Sequence, residues 1–159
     1  MRREIERKFL LSGESWRAHV IETRHQRDGL VASTPAGKVR VRIEGARAWI
    51  TVKGERANRG RDEYEYEIPL QDAEDMMARV CGANVVEKTR HIVRHEGLVW
   101  EIDVYAGLLD GIAYAEVELD HADQPVPLPP WVGREVTDDP NHSKRQLLSQ
   151  RLGHAKHDG

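Results

Sequence analysis

Short segments in which charged and apolar residues alternate with a period of two recur along most of the chain. In residues 39–44, three apolar side chains alternate with Arg40, Arg42 and Glu44. The same alternation recurs in residues 4–9, 49–53, 61–68, 86–94, 100–105 and 115–120. Because successive side chains of a β-strand point to opposite faces, each segment predicts a strand with one charged and one apolar face.

Other segments predict helices and a loop. Helical periodicity favours helices over residues 12–22, 71–81 and 142–152, and the proline-rich residues 124–130 predict a loop. These elements indicate an α+β chain with a mostly antiparallel sheet and helices packed outside it. The length of 159 residues is typical of one domain, which we place at residues 1–153, with residues 154–159 as a disordered tail.

Charge and composition exclude several classes of protein. Charged residues make up 32% of the chain, against about 25% in an average globular protein. The net charge is −3, so we expect no nucleic-acid partner. No stretch of the sequence is long and apolar enough to span a bilayer, so we expect no membrane partner. One cysteine and an N-terminus without the apolar core of a signal peptide indicate a cytoplasmic protein.

Charges of one sign cluster on single strands. A charged strand face is ordinarily a solvated face, and each strand taken alone fits that interpretation. Like charges two residues apart repel, however, unless a neighbouring strand, a divalent cation or a polyanion lies between them. The pairs are Arg40 with Arg42, Lys88 with Arg90, Glu63 with Glu65, and Glu116 with Glu118.

An eight-stranded antiparallel sheet closed into a barrel would place these faces inside. Its cavity would have an acidic wall for a divalent cation and a basic wall for a polyanion. Together they would bind a metal–phosphate complex, and Mg²⁺ suits such a site because it pairs a few carboxylates with substrate phosphates.

The sequence resembles the CYTH domains, or triphosphate tunnel metalloenzymes. Residues 4–8 read Glu-Ile-Glu-Arg-Lys and match the family's Glu-x-Glu-x-Lys signature near the N-terminus. Residues 40–42, 51–53, 61–65, 86–90, 101–103 and 115–118 follow in the order found in the family. The resemblance covers about residues 2–150, and it implies an eight-stranded antiparallel tunnel with a charged interior.

The resemblance also implies roles for individual residues. The carboxylates that would hold Mg²⁺, or alternatively Mn²⁺, are Glu4, Glu6, Glu63, Glu65, Asp103, Glu116 and Glu118. The residues that would bind phosphate are Lys8, Arg40, Arg42, Lys53, Arg61, Lys88 and Arg90. From the chemistry of phosphoryl transfer we assign catalytic roles to Lys88 and Lys8, with Lys88 positioning the attacking water or acting as a general base.

Short bacterial members of the family are mostly inorganic triphosphatases, so a triphosphate is the expected small-molecule partner and tripolyphosphate the expected substrate. Adenylyl cyclase, thiamine triphosphatase and a polyphosphate- or nucleotide-binding module remain alternatives, and a homodimer remains open. Two segments depart from the family. Residues 26–30 lack the tyrosine of a Gln-x-Tyr-Leu stretch, and His142-Ser143-Lys144 replaces a Tyr-x-Asn stretch.

Overall fold

Ten strands and two α-helices make up the computed structural model, which describes residues 3–57 and 60–157, with side chains up to Leu152. The strands are β1 (Arg3–Glu4), β2 (Glu6–Leu11), β3 (Val20–Thr34), β4 (Gly37–Glu44), β5 (Arg47–Gly54), β6 (Arg61–Ile68), β7 (Val85–His95), β8 (Leu98–Ala106), β9 (Ala113–Glu118) and β10 (Val132–Glu135). The helices are α1 (Leu70–Arg79) and α2 (Lys144–His157).

All strands belong to one sheet of order β1-β6-β5-β4-β3-β7-β8-β9-β2-β10, and every pairing is antiparallel. The sheet is not closed, and it has ten strands, so the prediction of a closed eight-stranded barrel was wrong in these two details. The N-terminal segment nevertheless bridges the sheet, because β1 pairs with β6 and β2 pairs with β9 on either side of Ile5. The inward faces therefore surround a tunnel-like interior.

The predicted helix over residues 12–22 was wrong. Only a 3₁₀ segment, Ser15–His19, forms there, and the long strand β3 begins at Val20. The run Val20-Ile21-Glu22-Thr23 is rich in β-branched residues, which favour a strand over a helix. Trp16 of the 3₁₀ segment is buried, so it anchors the chain ahead of that strand.

Apolar residues pack outside the sheet and at one end of its interior. The largest cluster joins Phe9, Trp16, Trp100 and Trp131 on the outer faces of β2, β8 and β9. A second cluster lies under α1. The third includes Leu148 of α2, so this helix covers one end of the interior while α1 packs outside.

Helix α2 continues through residue 157, and residues 158 and 159 lie outside the described residues. The tail over residues 154–159 therefore stays a prediction. No described helix is long and apolar enough to cross a membrane.

Candidate active site

The inward faces of the strands surround a cavity of about 460 Å³, lined mostly by charged side chains. The predicted site residues that line it are Glu4, Glu6, Lys8, Arg40, Arg42, Lys53, Arg61, Glu63, Glu65, Arg90, Glu116 and Glu118. The alternation read from the sequence produces this arrangement, because it sends every second side chain of each strand to the inside. Lys88 and Asp103 do not line the cavity.

Lys88 and Asp103 lie behind the cavity wall, where they are 3% and 0% exposed. Lys88 Nζ donates to Asp103 at 2.9 Å, and it lies 3.6 Å from Asp28. Asp103 also accepts two hydrogen bonds from Arg90, at 2.8 and 3.0 Å. Burial opposes ionisation of Asp103, but the Lys88 and Arg90 charges hold its pKa well below the ordinary value. Asp103 therefore fixes two cations, and Lys88 does not face the cavity.

Asp28 forms a second buried ion-pair cluster that the sequence did not predict. Arg42 donates to its carboxylate from Nε at 2.7 Å and from Nη2 at 3.1 Å, while Lys144 Nζ lies 3.8 Å away. Asp28 and Lys144 occupy the two segments in which the sequence departs from the family pattern. The fold brings these departures together, and the resulting ion pair ties the start of α2 to β3.

Four carboxylates on the neighbouring strands β8, β9 and β2 form an acidic wall. These residues are Glu6, Glu101, Glu116 and Glu118. Glu6 faces Glu118 across the β2–β9 pairing. Burial and the charges of Glu116 and Glu4 raise the pKa of Glu6 to about 8. Burial, with Glu4 and Glu101, also raises the pKa of Glu118.

Glu4 is held differently from the acidic wall. Lys53 Nζ donates to Glu4 at 3.0 Å and lies 3.3 Å from Glu63. Burial and a hydrogen bond with Glu4 raise the pKa of Glu63 to about 7. Burial opposes ionisation of Glu4, yet the hydrogen bond from Glu63 and the Lys53 charge hold its pKa well below the ordinary range. Glu4 therefore carries its negative charge at neutral pH. In the acidic wall, Glu101 is ion-paired with Arg90, whereas Glu6 and Glu118 have raised pKa values because they are buried beside other carboxylates.

The donor set of the acidic wall fits a hard divalent cation. Its carboxylates repel one another, and a cation placed among them would offset that repulsion. Among residues 3–57 and 60–157, no three carboxylate, histidine or cysteine side chains stand close enough to hold a metal by themselves. Mg²⁺ commonly takes one or two carboxylates and completes its shell with waters and substrate phosphates, so a partial protein cage is compatible with it.

Four cations on β4 and β5 form a basic wall. These residues are Lys38, Arg40, Arg42 and Lys53. Arg42 and Lys53 are paired with carboxylates as described above, whereas no ion pair of Lys38 or Arg40 is found among the residues whose side chains are described. The cavity therefore has a wall of carboxylates and a wall of cations on different strands.

The segment before α2 covers part of the cavity. Lys8 Nζ donates to the carbonyl oxygen of His142 at 2.5 Å, and Tyr114 Oη lies 2.7 Å from His142 Nδ1. Arg56, in the loop between β5 and β6, donates to Asp138 at 2.7 Å. These contacts link the covering segment to β2, β9 and the opposite loop.

Sequence reasoning missed four residues whose place in the site is now visible: Asp28, Lys38, Glu101 and Lys144. Lys38 shares the alternation of Arg40 and Arg42, and Glu101 shares that of Asp103, so the period of two could have identified both. Asp28 and Lys144 come from segments that were noted only because they depart from the family pattern.

Comparison with known proteins agrees with this architecture. The sequence profile of the CYTH domain matches residues 2–148. An inorganic triphosphatase of Acetivibrio thermocellus is 36% identical over 148 residues, which is 93% of this chain and 94% of that protein. An inorganic triphosphatase of Nitrosomonas europaea is 35% identical over 152 residues, covering 91% of this chain and 95% of that protein.

Solved structures show the same likeness. The crystal structure of the inorganic triphosphatase NE1496 is similar with a TM-score of 0.63 at 33% identity, and the match covers 91% of this chain and 97% of that chain. The match to the family, the alignments with the two relatives and the structural match each cover more than nine-tenths of this chain. The chain therefore belongs to the CYTH domain family.

Proposed function

We propose that this protein is a metal-dependent triphosphatase that cleaves inorganic tripolyphosphate to pyrophosphate and phosphate. The observation that carries the proposal is the cavity of about 460 Å³ with an acidic wall and a basic wall on separate strands. The relatives named inorganic triphosphatase support it, because they match over more than nine-tenths of this chain. A module that only binds polyphosphate or nucleotides would need the basic wall but not the acidic one, so the acidic wall favours an enzyme.

The acidic wall is the proposed place for the metal. Glu6, Glu116 and Glu118 would hold Mg²⁺, with Mn²⁺ as the alternative, and Glu4 would contribute its charge nearby. When bound, a divalent cation neutralises charge on phosphate oxygens as the bond to the leaving group breaks. Glu63 and Glu65 also line the cavity, but Glu63 lies beside Lys53, and Glu65 accepts a hydrogen bond from Thr51 at 3.1 Å.

The phosphate chain would lie along the cations. Arg40, Arg42, Lys53 and Arg90 all line the cavity, and Arg61 stands at the start of β6. Guanidinium groups bind phosphate oxygens with two parallel hydrogen bonds, so arginines fix orientation as well as charge. Phosphoryl transfer depends mainly on positioning and charge stabilisation, which these side chains supply.

Lys8 and Lys88 would act in different ways. Lys8 lines the cavity, so its ammonium group can contact the substrate or the attacking water directly. Lys88 is enclosed by Asp103 and Asp28, so we assign it a positioning role. Through Asp103 it would help hold Arg90 in place. Lys88 would therefore act indirectly, by holding Asp103 and Arg90 in place, and would not itself position the attacking water.

The compartment and assembly are proposals of the same kind. We assign the protein to the cytoplasm, where its one cysteine, which is buried and free, would stay reduced. Light scattering of the purified protein would measure its molar mass and so distinguish a homodimer from a monomer.

A substrate panel tests the proposed function. The purified protein would be supplied with tripolyphosphate, thiamine triphosphate, ATP and long-chain polyphosphate, each with Mg²⁺ or Mn²⁺, and phosphate and cyclic AMP would be measured. We expect the highest kcat/KM with tripolyphosphate and no cyclic AMP. Cyclic AMP formation from ATP, or binding of every compound without turnover, would contradict the proposal.

A further inference from the structure

Lys38 and Arg40 differ from the other cations of the basic wall. Both are half-buried, both line the cavity, and both lie on the inward face of β4. No carboxylate oxygen among the described side chains lies within 4.0 Å of either charged group. Arg42, Lys53 and Arg90 all have such a partner. Two neighbouring basic side chains therefore face the cavity with no carboxylate of the described residues within ion-pair distance.

The position of Lys38 is unfavourable for the fold. Its Cα partner across the β4–β5 pairing is Lys53, so two lysines stand directly opposite each other. Like charges opposite each other on neighbouring strands are destabilising. Burial and the charges of Arg40, Arg61 and Lys53 lower the pKa of Lys38 to about 6. Glu4 opposes this lowering only from beyond 4.0 Å, because it is paired with Lys53. An anion bound directly to Lys38 would offset the repulsion and favour its ammonium form.

The cavity ends close to this pair. Beyond Lys38 and Arg40 the space narrows to a recess of about 40 Å³, much smaller than the cavity, whose lining includes Asp28 and the apolar Leu148. The pKa of Asp28 lies well below its ordinary value, so its carboxylate is negatively charged and would repel a further phosphate group entering this recess. A phosphate held by these two cations is therefore the last phosphate of the chain.

We propose that Lys38 is a further substrate-binding residue, which together with Arg40 binds the terminal phosphate of a linear polyphosphate. This proposal rests on the proposed function. A terminal phosphate carries more negative charge than an internal one, and it matches a pair of cations that lack a carboxylate. The other end of the substrate then lies toward the acidic wall. The orientation of the substrate in the cavity follows from this assignment.

Calorimetric binding in EDTA tests the proposal without turnover. Two ligands are compared, linear tripolyphosphate and cyclic trimetaphosphate, since the cyclic compound has no terminal phosphate. We expect Lys38→Met to weaken tripolyphosphate binding by about tenfold or more, in line with the loss of a charged hydrogen bond, and to change trimetaphosphate binding by less than about twofold. Lys38→Arg should retain tripolyphosphate binding, and the exterior variant Arg79→Met should match the wild type with both ligands.

Thermal unfolding of the ligand-free protein gives an independent measurement. Lys38→Met should raise Tm because it removes the free-energy cost of placing a lysine here: charge repulsion below about pH 6, and loss of the lysine proton on folding above it. Lys38→Gln should do the same. Unchanged tripolyphosphate binding in both variants, or equal weakening with both ligands, would overturn the proposal. Hydrolysis by the wild type with Mg²⁺ is measured separately, so a protein that binds at Lys38 but does not turn over would contradict the proposed function alone.

Discussion

The pKa of a glutamate in this cavity depends on the charged groups around it, so two residues of the same type differ in whether they are ionised. Glu4 and Glu6 are two residues apart, yet the pKa of Glu4 is lowered by Glu63 and Lys53 while that of Glu6 is raised to about 8. The difference arises because Lys53 reaches Glu4, whereas Glu6 lies among other carboxylates. A shared Glu-x-Glu pattern therefore produces one fixed anion and one repelled carboxylate, a distinction that the sequence does not show.

The raised pKa of Glu6 predicts a pH-dependent cost in stability. Between its ordinary pKa of 4.5 and about 8, the folded protein holds a proton that the unfolded chain releases, so this contribution to stability falls as pH rises through that window. In Glu6→Gln, measured without metal, we expect a Tm above that of the wild type. The gap should widen from about pH 5 to about pH 8 and then level off.

The same variant should lose activity, because it removes a proposed metal ligand. We expect turnover of tripolyphosphate with Mg²⁺ to fall roughly 100-fold or more, the range for loss of one group that stabilises transition-state charge. Glu87→Gln, on the exposed face of β7, is the matched control and should change neither Tm nor turnover. A Tm gap that does not depend on pH would show that Glu6 is ionised in the folded protein.

The buried pair of Asp103 and Lys88 predicts a large loss of stability when it is broken. Asp103→Asn removes the carboxylate that both cations contact directly, leaving Lys88 with Asp28 at 3.6 Å and Arg90 with Glu101. Breaking a buried pair in this way costs about 3–5 kcal/mol of unfolding free energy in comparable proteins. The double variant Asp103→Asn with Lys88→Met should recover part of that loss, since it removes one of the cations that Asp103 balances. Urea unfolding measures all three proteins, and equal stability of the single variant and the wild type would contradict the pairing.

At the scale of elements, the alternation in the sequence predicts strands well and their assembly less well. The predicted segment of residues 61–68 coincides with β6, and residues 100–105 lie within β8. Such strands have one face in a charged interior and one in an apolar layer, so their pattern is strict. The strand β3 lacks that strict alternation, and its first residues, 20–22, were predicted to belong to a helix. The short β10 has no periodic pattern to detect.

Pairing and closure depend on contacts that are distant in the sequence. The N-terminal segment is interrupted at Ile5, so that β1 pairs with β6 while β2 pairs with β9. No pattern in residues 3–11 predicts this interruption. The charged site was more predictable, because inward faces follow from the period of two. Lys88 and Asp103 share that period, but their mutual attraction keeps them behind the wall rather than on it.

The packing of α1 on the sheet predicts a steric effect at Gly29. A Cβ atom at this position would lie 2.6 Å from Cys81 Sγ and 3.4 Å from Met77, next to the buried face of α1. Gly29→Ala should therefore push the helix away and lower the unfolding free energy by about 1–3 kcal/mol. Gly54→Ala is the control, since its nearest neighbour would be at 3.7 Å. Equal stability of both variants in urea would contradict this packing.

At the scale of the whole molecule, the net charge of −3 conceals a strong separation of charge. The acidic wall comes mainly from β8 and β9, whose inward side chains at the cavity are carboxylates, and the basic wall comes from β4 and β5, whose charged side chains there are cations. Strand β2 contributes charges of both signs, Glu6 and Lys8. The apolar layer that normally fills a core lies outside the sheet and under α2. The interior is thus kept polar at a cost in stability, and a metal–phosphate complex is the ligand that offsets this cost.

The most direct test of the central claim is phosphorus NMR of tripolyphosphate incubated with the purified protein. With Mg²⁺, we predict that the tripolyphosphate resonances are replaced by those of pyrophosphate and phosphate in equal amounts. With EDTA, or with Glu118→Gln in the presence of Mg²⁺, the tripolyphosphate resonances should persist. Unaltered tripolyphosphate after incubation of the wild type with Mg²⁺ or Mn²⁺, or undiminished cleavage in EDTA, would contradict the account.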